Sequence, residues 1–231
     1  MNFEICTDTV EGALAAAKFG VKRIELCTAL GVGGLTPSYG LIHQCVEKST
    51  VEVHVMIRHK EGGFNYTIND IELMKIDIGT AKNAGAQGVV FGVLNRFNEV
   101  SKLNSELVAH AKSFGLEVTF HRAFDVVSNY KKAIEQLISY GFDRLLTSGL
   151  QPTAAQGLPV ITYLQKNYGS QIQIMAGSGI VASNARLIAA SGVENLHFTA
   201  RKSMHSSIGL SMGELMPVDE EKIESIVNQF K

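Results

Sequence analysis

The chain has no surplus of charge of either sign: 21 Lys and Arg stand against 22 Asp and Glu, a formal net charge of -1. Without a run of basic residues it lacks the electrostatic footprint of a nucleic-acid binder or of a protein held to an anionic membrane, so neither partner is expected. Long hydrophobic runs are missing too. No segment approaches the roughly 20 apolar residues of a spanning helix. The N-terminal stretch has no basic region followed by an apolar run and a small-residue cleavage site, and the expected compartment is the cytoplasm. Cysteine is scarce: Cys6, Cys27 and Cys45 are an odd number with no C-x-x-C spacing, which argues for free thiols and against a disulfide framework. No Pro-rich, Ser-rich or charged linker interrupts the chain, so residues 1–231 are expected to form one domain. With 45% hydrophobic residues they can fill one sizeable core.

What is present is a regular alternation of short strand-like and longer helix-like runs. Strands are expected at Phe3–Cys6, Arg23–Cys27, Val51–Ile57, Gln87–Phe91, Leu116–Phe120, Arg144–Thr147, Gln171–Met175 and Asn195–Phe198. Helices are expected at Val10–Phe19, Tyr39–Glu47, from Asn69 and Asp70 to Gly85, then Asn104–Phe114, Asn129–Tyr140, Leu158–Asn167, Ser183–Ser191 and Asp219–Phe230. Thr7 and Asp8 read as the first cap signal, and Gly20 as a helix stop. Eight βα units in this length predict a (β/α)8 TIM barrel rather than a doubly wound sheet.

The period of two along a strand then sorts the side chains. Val51, Val53, Val55 and Ile57 share an apolar face suited to packing under helices, while Glu52, His54, Met56 and Arg58 share the other. By the same rule Glu4 lies with Cys6, Glu25 with Cys27, and His197 with Thr199. If the apolar faces point outward, these polar and sulfur-bearing ones converge inside the barrel, near the strands' C-terminal ends where barrel enzymes keep their chemistry.

Three constellations result. Glu4, Glu25, Arg58, His121, Arg122 and Asp125 can form an acid–base pocket, with Glu25 or His121 as proton carrier and Arg58 and Arg122 as anion clamps; an interior ion network is the other reading. The turn Gly177-Ser178-Gly179, opening a helix near Val181, offers backbone N–H groups to an anion, with Thr199 and Arg201 close by; alternatively its glycines only turn the chain. Cys6, Cys27, Met56 and His54 bring soft ligands to like faces of three strands, and thiolate and thioether select Cu(I), though buried cysteines also pack as small hydrophobes. Cys45, on a helix, is expected against the barrel wall. No Lys sits at a strand end as a Schiff-base aldolase requires, Lys60 lying beyond the third strand. Phe64 and Tyr66, in the loop after that strand, are candidates for a lid or for plain surface packing.

Several stretches resemble one known family. They are Glu4-Ile5-Cys6, Arg23-Ile24-Glu25-Leu26-Cys27, Gly33-Gly34-Leu35-Thr36-Pro37-Ser38, Met56-Ile57-Arg58, Thr119-Phe120-His121-Arg122-Ala123-Phe124-Asp125 and Leu146-Thr147-Ser148-Gly149. Together they look like the CutC copper homeostasis family, over residues 1 to about 201. The resemblance implies a cytoplasmic barrel that assembles as a homo-oligomer, a dimer or tetramer, and handles copper, with Cys6 and Cys27 as Cu(I) ligands. The alternative carried alongside it is a barrel enzyme acting by acid–base chemistry on a small anionic, phosphorylated or carboxylated substrate. Two departures from the family pattern stand out: His59-Lys60 follows Met-Ile-Arg where Pro-Arg is usual, and a triple-glycine turn reads Gly177-Ser178-Gly179.

Overall fold

The computed structural model describes residues 1–202 and 216–231. Eight parallel strands close into a barrel in chain order: β1 (Asn2–Thr7), β2 (Arg23–Leu26), β3 (Glu52–Met56), β4 (Gly88–Phe91), β5 (Glu117–Phe120), β6 (Arg144–Thr147), β7 (Gln173–Gly177) and β8 (Asn195–Thr199). Between and after them run α1 (Val10–Lys18), α2 (Tyr39–Lys48), α3 (Ile68–Asn83), α4 (Leu103–Ser113), α5 (Tyr130–Tyr140), α6 (Leu158–Tyr168), α7 (Ala182–Ala189) and α8 (Glu220–Val227). The (β/α)8 barrel expected from the alternation is the fold observed.

Local chemistry starts and stops the helices. The side chain of Thr9, rather than Thr7 or Asp8, accepts the Gly12 N–H at 3.0 Å and caps α1, because Thr7 is still strand. Thr67 and Asp70 form a reciprocal capping box on α3. The largest shift is in β7. Gln171 and Ile172 both return their N–H groups to the Tyr168 carbonyl at the end of α6, so the strand starts at Gln173 and runs through Gly177.

The two faces of each strand part as the period of two requires. Val53, Val55, Val89 and Phe91 join Ile42, Met74, Ile78 and Ala81 of the helices in one continuous core between barrel and helix ring. Burying such side chains contributes about 1.5–3 kcal/mol each. A separate apolar cluster of Cys6, Cys27, Met56 and Val90 fills the inside of the barrel. Below it the interior is charged: Arg23 binds Glu4, and Arg144 donates to Glu117 at 2.9 Å and to Thr119 at 3.1 Å. His54 is fully buried among them, beside Gly88 in the register.

Candidate metal centre and barrel cavity

Cys6 and Cys27 end adjacent strands. Cys6 is paired in register with Glu25, and the Cys27 N–H just past β2 still donates to the Thr7 carbonyl at 2.9 Å. That offset brings the two sulfurs within 3.9 Å of each other, and Cys27 Sγ within 3.8 Å of Glu25 Oε2. Both thiols and the carboxylate form one buried group able to hold a metal ion. Gly34 closes over it with φ +88°, and a Cβ there would stand 3.0 Å from Cys27 Sγ, so the loop needs glycine for both reasons.

Charge surrounds the thiols. His197 Nδ1 meets Glu4 Oε1 at 2.7 Å, its Nε2 stands 3.8 Å from Glu25 Oε2, and Arg23 pairs with the other side of Glu4. Burial works against a charged His197, but Glu25, Cys6 and Glu4 outweigh it and lift its pKa well above the usual value, which makes it an imidazolium. Burial also works against ionised Glu4, and there His197 and Arg23 win and hold the carboxyl low. At Glu25 burial prevails over His197 and raises the pKa, and its Oε1 has no hydrogen-bond partner among the described residues. The hydrogen bond Cys6 gives Cys27 raises Cys6, with burial adding to it. The same bond lowers Cys27, but burial and the Glu25 charge push it up to about 11. Both cysteines are thiols at neutral pH.

Above this floor opens a cavity of about 710 Å³, whose wall includes Cys6, Glu25, Arg58, His121, Arg122 and Arg201. Of the polar residues expected at the mouth, Glu25, Arg58, His121, Arg122 and Asp125 gather here, whereas Glu4 stays out of the cavity wall, buried between Arg23 and His197. Those that gather differ in how fully they are engaged. Asp125 is consumed by the loop after β6: it accepts from Thr147 Oγ1 at 2.5 Å, Ser148 N at 3.0 Å, Ser148 Oγ at 2.8 Å and Leu150 N at 3.2 Å, and from Arg122 Nε at 2.8 Å. This geometry suits a loop clamp, and it leaves Asp125 poorly placed to carry protons. Arg122 also binds Ser148 Oγ at 2.9 Å.

Ser178 and Gly179, both at positive φ, line the cavity beside Thr199, with Gly177 just below as the last residue of β7. The Ser178, Gly179 and Ile180 N–H groups have no partner among the described residues, whereas the Val181 N–H is taken by Asn184 Oδ1 at 2.9 Å. Arg201 Nη1 stands 3.7 Å from Asp8.

Of the remaining candidates, Cys45 is buried in the outer core on α2. Lys60 and His59 both bind Asp70, at 2.7 and 2.9 Å, so the departure from the family pattern after Arg58 braces the α3 cap. Phe64 lines the cavity, and Tyr66 packs against His59 instead. Two participants had no role assigned from sequence: His197, placed only on the inward face of the eighth strand, and Arg23, not singled out at all. Their signal was the inward face of β8 and the Glu4–Arg23 register, visible once strand pairing is known.

Comparison with known proteins agrees with the fold and gives the family. A family model described as the CutC family matches residues 1–202. A CutC protein of Glaesserella parasuis serovar 5 is 43% identical, the match covering 98% of each chain. One from Aliivibrio fischeri is 39% identical over 100% of this chain and 99% of its own. The crystal structure of a CutC from Streptococcus agalactiae superposes with a TM-score of 0.78 at 32% identity, over 86% of this chain and 98% of that one.

Proposed function

Because this chain belongs to the CutC family, we propose that it takes part in copper homeostasis by binding Cu(I) through Cys6 and Cys27. The Streptococcus agalactiae relative is named for copper homeostasis. The observation that carries the reading to particular residues is the 3.9 Å sulfur pair with the Glu25 carboxylate beside it.

The donor set fits the ion. Metal–thiolate bonds of about 2.3 Å spanning 3.9 Å make an angle of roughly 115° at the metal. That would be too bent for a linear site and would call for a third donor; Glu25 is the one beside the sulfurs, a harder oxygen than the thiolates that select Cu(I). Soft sulfur favours Cu(I) over harder cations. Since both cysteines are protonated beforehand, binding displaces their protons into the cavity that Cys6 lines. His197 and Arg23 supply positive charge to balance two thiolates around a monovalent ion. A reducing cytoplasm suits both the free thiols and Cu(I).

An anaerobic competition titration against a Cu(I) chelator tests this. The expected result is one tightly bound Cu(I) per chain, with Zn(II) failing to displace it at equal concentration. Equal Cu(I) affinity in a Cys6→Ser, Cys27→Ser double variant rules the reading out.

A further inference from the structure

Arg58 is the anomaly of the interior. Three arginines are buried among the described residues, and two of them have acids: Arg23 has Glu4, and Arg144 has Glu117. Arg58 is 4% exposed and has no carboxylate within salt-bridge distance among the described residues. Its guanidinium instead donates to three loop carbonyls, Val32 and Gly34 from Nη1 and Gly62 from Nη2, each at 2.9 Å. Five donors less these three leave Nε–H and one Nη2–H, and Nε is buried without a partner. Burial raises the pKa of the Tyr66 hydroxyl and the nearby Arg58 charge works against it, but the two groups make no hydrogen bond of ordinary distance and angle. A cation taken out of water and given only carbonyl dipoles and the face of Phe64 is expensive to keep.

His121 shares the same wall. Its Nδ1 accepts the Ala123 N–H at 3.2 Å, which places the ring proton on Nε2, and Nε2 is buried without a partner. The Phe64 ring joins the two groups: its centroid is 4.9 Å from that of His121, and the Arg58 guanidinium carbon is 5.7 Å from it. One cation and one neutral N–H donor, both unsatisfied, thus border a cavity of about 710 Å³. That volume is in the range of small-molecule sites, roughly 300–1,000 Å³, and a single metal ion would leave most of it empty.

We propose that the barrel mouth binds a small organic carboxylate, one oxygen on Arg58 and the other on the Nε2–H of His121. The charge matches a monoanion: Arg58 is one cation without a carboxylate, whereas Arg122 and Arg201 on the same wall already have Asp125 and Asp8. The organic part lies against Phe64, Leu146 and Ile180 on the wall. Because the Phe64 ring packs on both donors, it turns aside as the carboxylate enters. Arg58 and His121 are not among the proposed copper ligands, although Cys6 and Glu25 line the same cavity, and the test is made without metal.

Calorimetry on the metal-free, reduced full chain tests it, with pyruvate and benzoate as probes and inorganic phosphate as the competing anion. Saturable binding of at least one carboxylate is expected, with affinity falling about tenfold or more on losing a charge-assisted hydrogen bond. Arg58→Gln and His121→Asn should both show that loss, the latter keeping an acceptor for Ala123 while removing the Nε2–H. Lys131→Gln, on the outer helix α5, should bind as the wild type does. If Arg58→Gln fails to fold without its three carbonyl contacts, His121→Asn decides. No carboxylate binding, binding unchanged in the folded variants, or phosphate binding in preference to both probes would overturn the proposal.

Discussion

The imidazole of His54 occupies the space that a side chain on Gly88 would need: a Cβ there would lie 2.4 Å from His54 Cε1 and 2.5 Å from Nδ1. The two residues face each other across β3 and β4 inside the barrel. Gly88→Ala should therefore destabilise the protein by about 1–3 kcal/mol or more, as forced overpacking does. His54→Ala in the same chain should recover much of the loss. Urea unfolding of the two single variants and the double variant checks this, and strictly additive losses would show that the residues do not compete for space.

His54 also links stability to pH. Burial lowers its pKa from 6.5 to about 3, against the pull of Glu4 and with Arg23, Arg144 and Lys22 reinforcing the drop; Glu117 stands 3.8 Å away. A histidine buried neutral binds its proton more weakly folded than unfolded. Its stabilising effect is complete above pH 6.5 and is lost as pH falls toward 3. The wild type should lose roughly 1.4 kcal/mol per pH unit from this group within that window. His121 behaves alike, and Glu4 loses its own contribution on acidification, so the diagnostic is a difference. His54→Leu should show a shallower decline than wild type between pH 6.5 and 5, measured by urea unfolding, and parallel slopes would remove His54 from the account.

Arg23 and Glu4 form a fully buried pair that also holds His197. Arg23→Met leaves the Glu4 carboxylate short of a partner and should cost about 3–5 kcal/mol, whereas Arg23→Met with Glu4→Gln should cost less than the single change. Thermal unfolding distinguishes the two. A double variant whose loss equals the sum of the two single losses would show that the pair does not act as a unit.

Much of this architecture can be read from residue order alone. Val53 and Val55 against His54 and Met56 show the period of two, and with it which face meets the helices. Boundaries were harder. Gln171 and Ile172 look like strand residues, yet their N–H groups close the end of α6, a choice set by tertiary contact rather than propensity. The site was half legible. Its residue types gathered at the mouth as their faces predicted, but spacing cannot reveal which carboxylates the backbone has already engaged. Asp125 is bound up by Ser148 and Leu150. His197 finds Glu4 across 193 residues of sequence, a pairing that exists only once β8 closes on β1.

X-ray absorption at the copper edge of the Cu(I)-loaded protein tests the central claim most directly. Two sulfur scatterers and one oxygen scatterer are predicted, in a bent, three-coordinate site, with the sulfur shell lost in the Cys6→Ser, Cys27→Ser double variant and kept in Cys45→Ser, whose thiol lies in the outer core. A shell of nitrogen and oxygen alone, or a sulfur shell unchanged in the double variant, would contradict copper binding by these two cysteines.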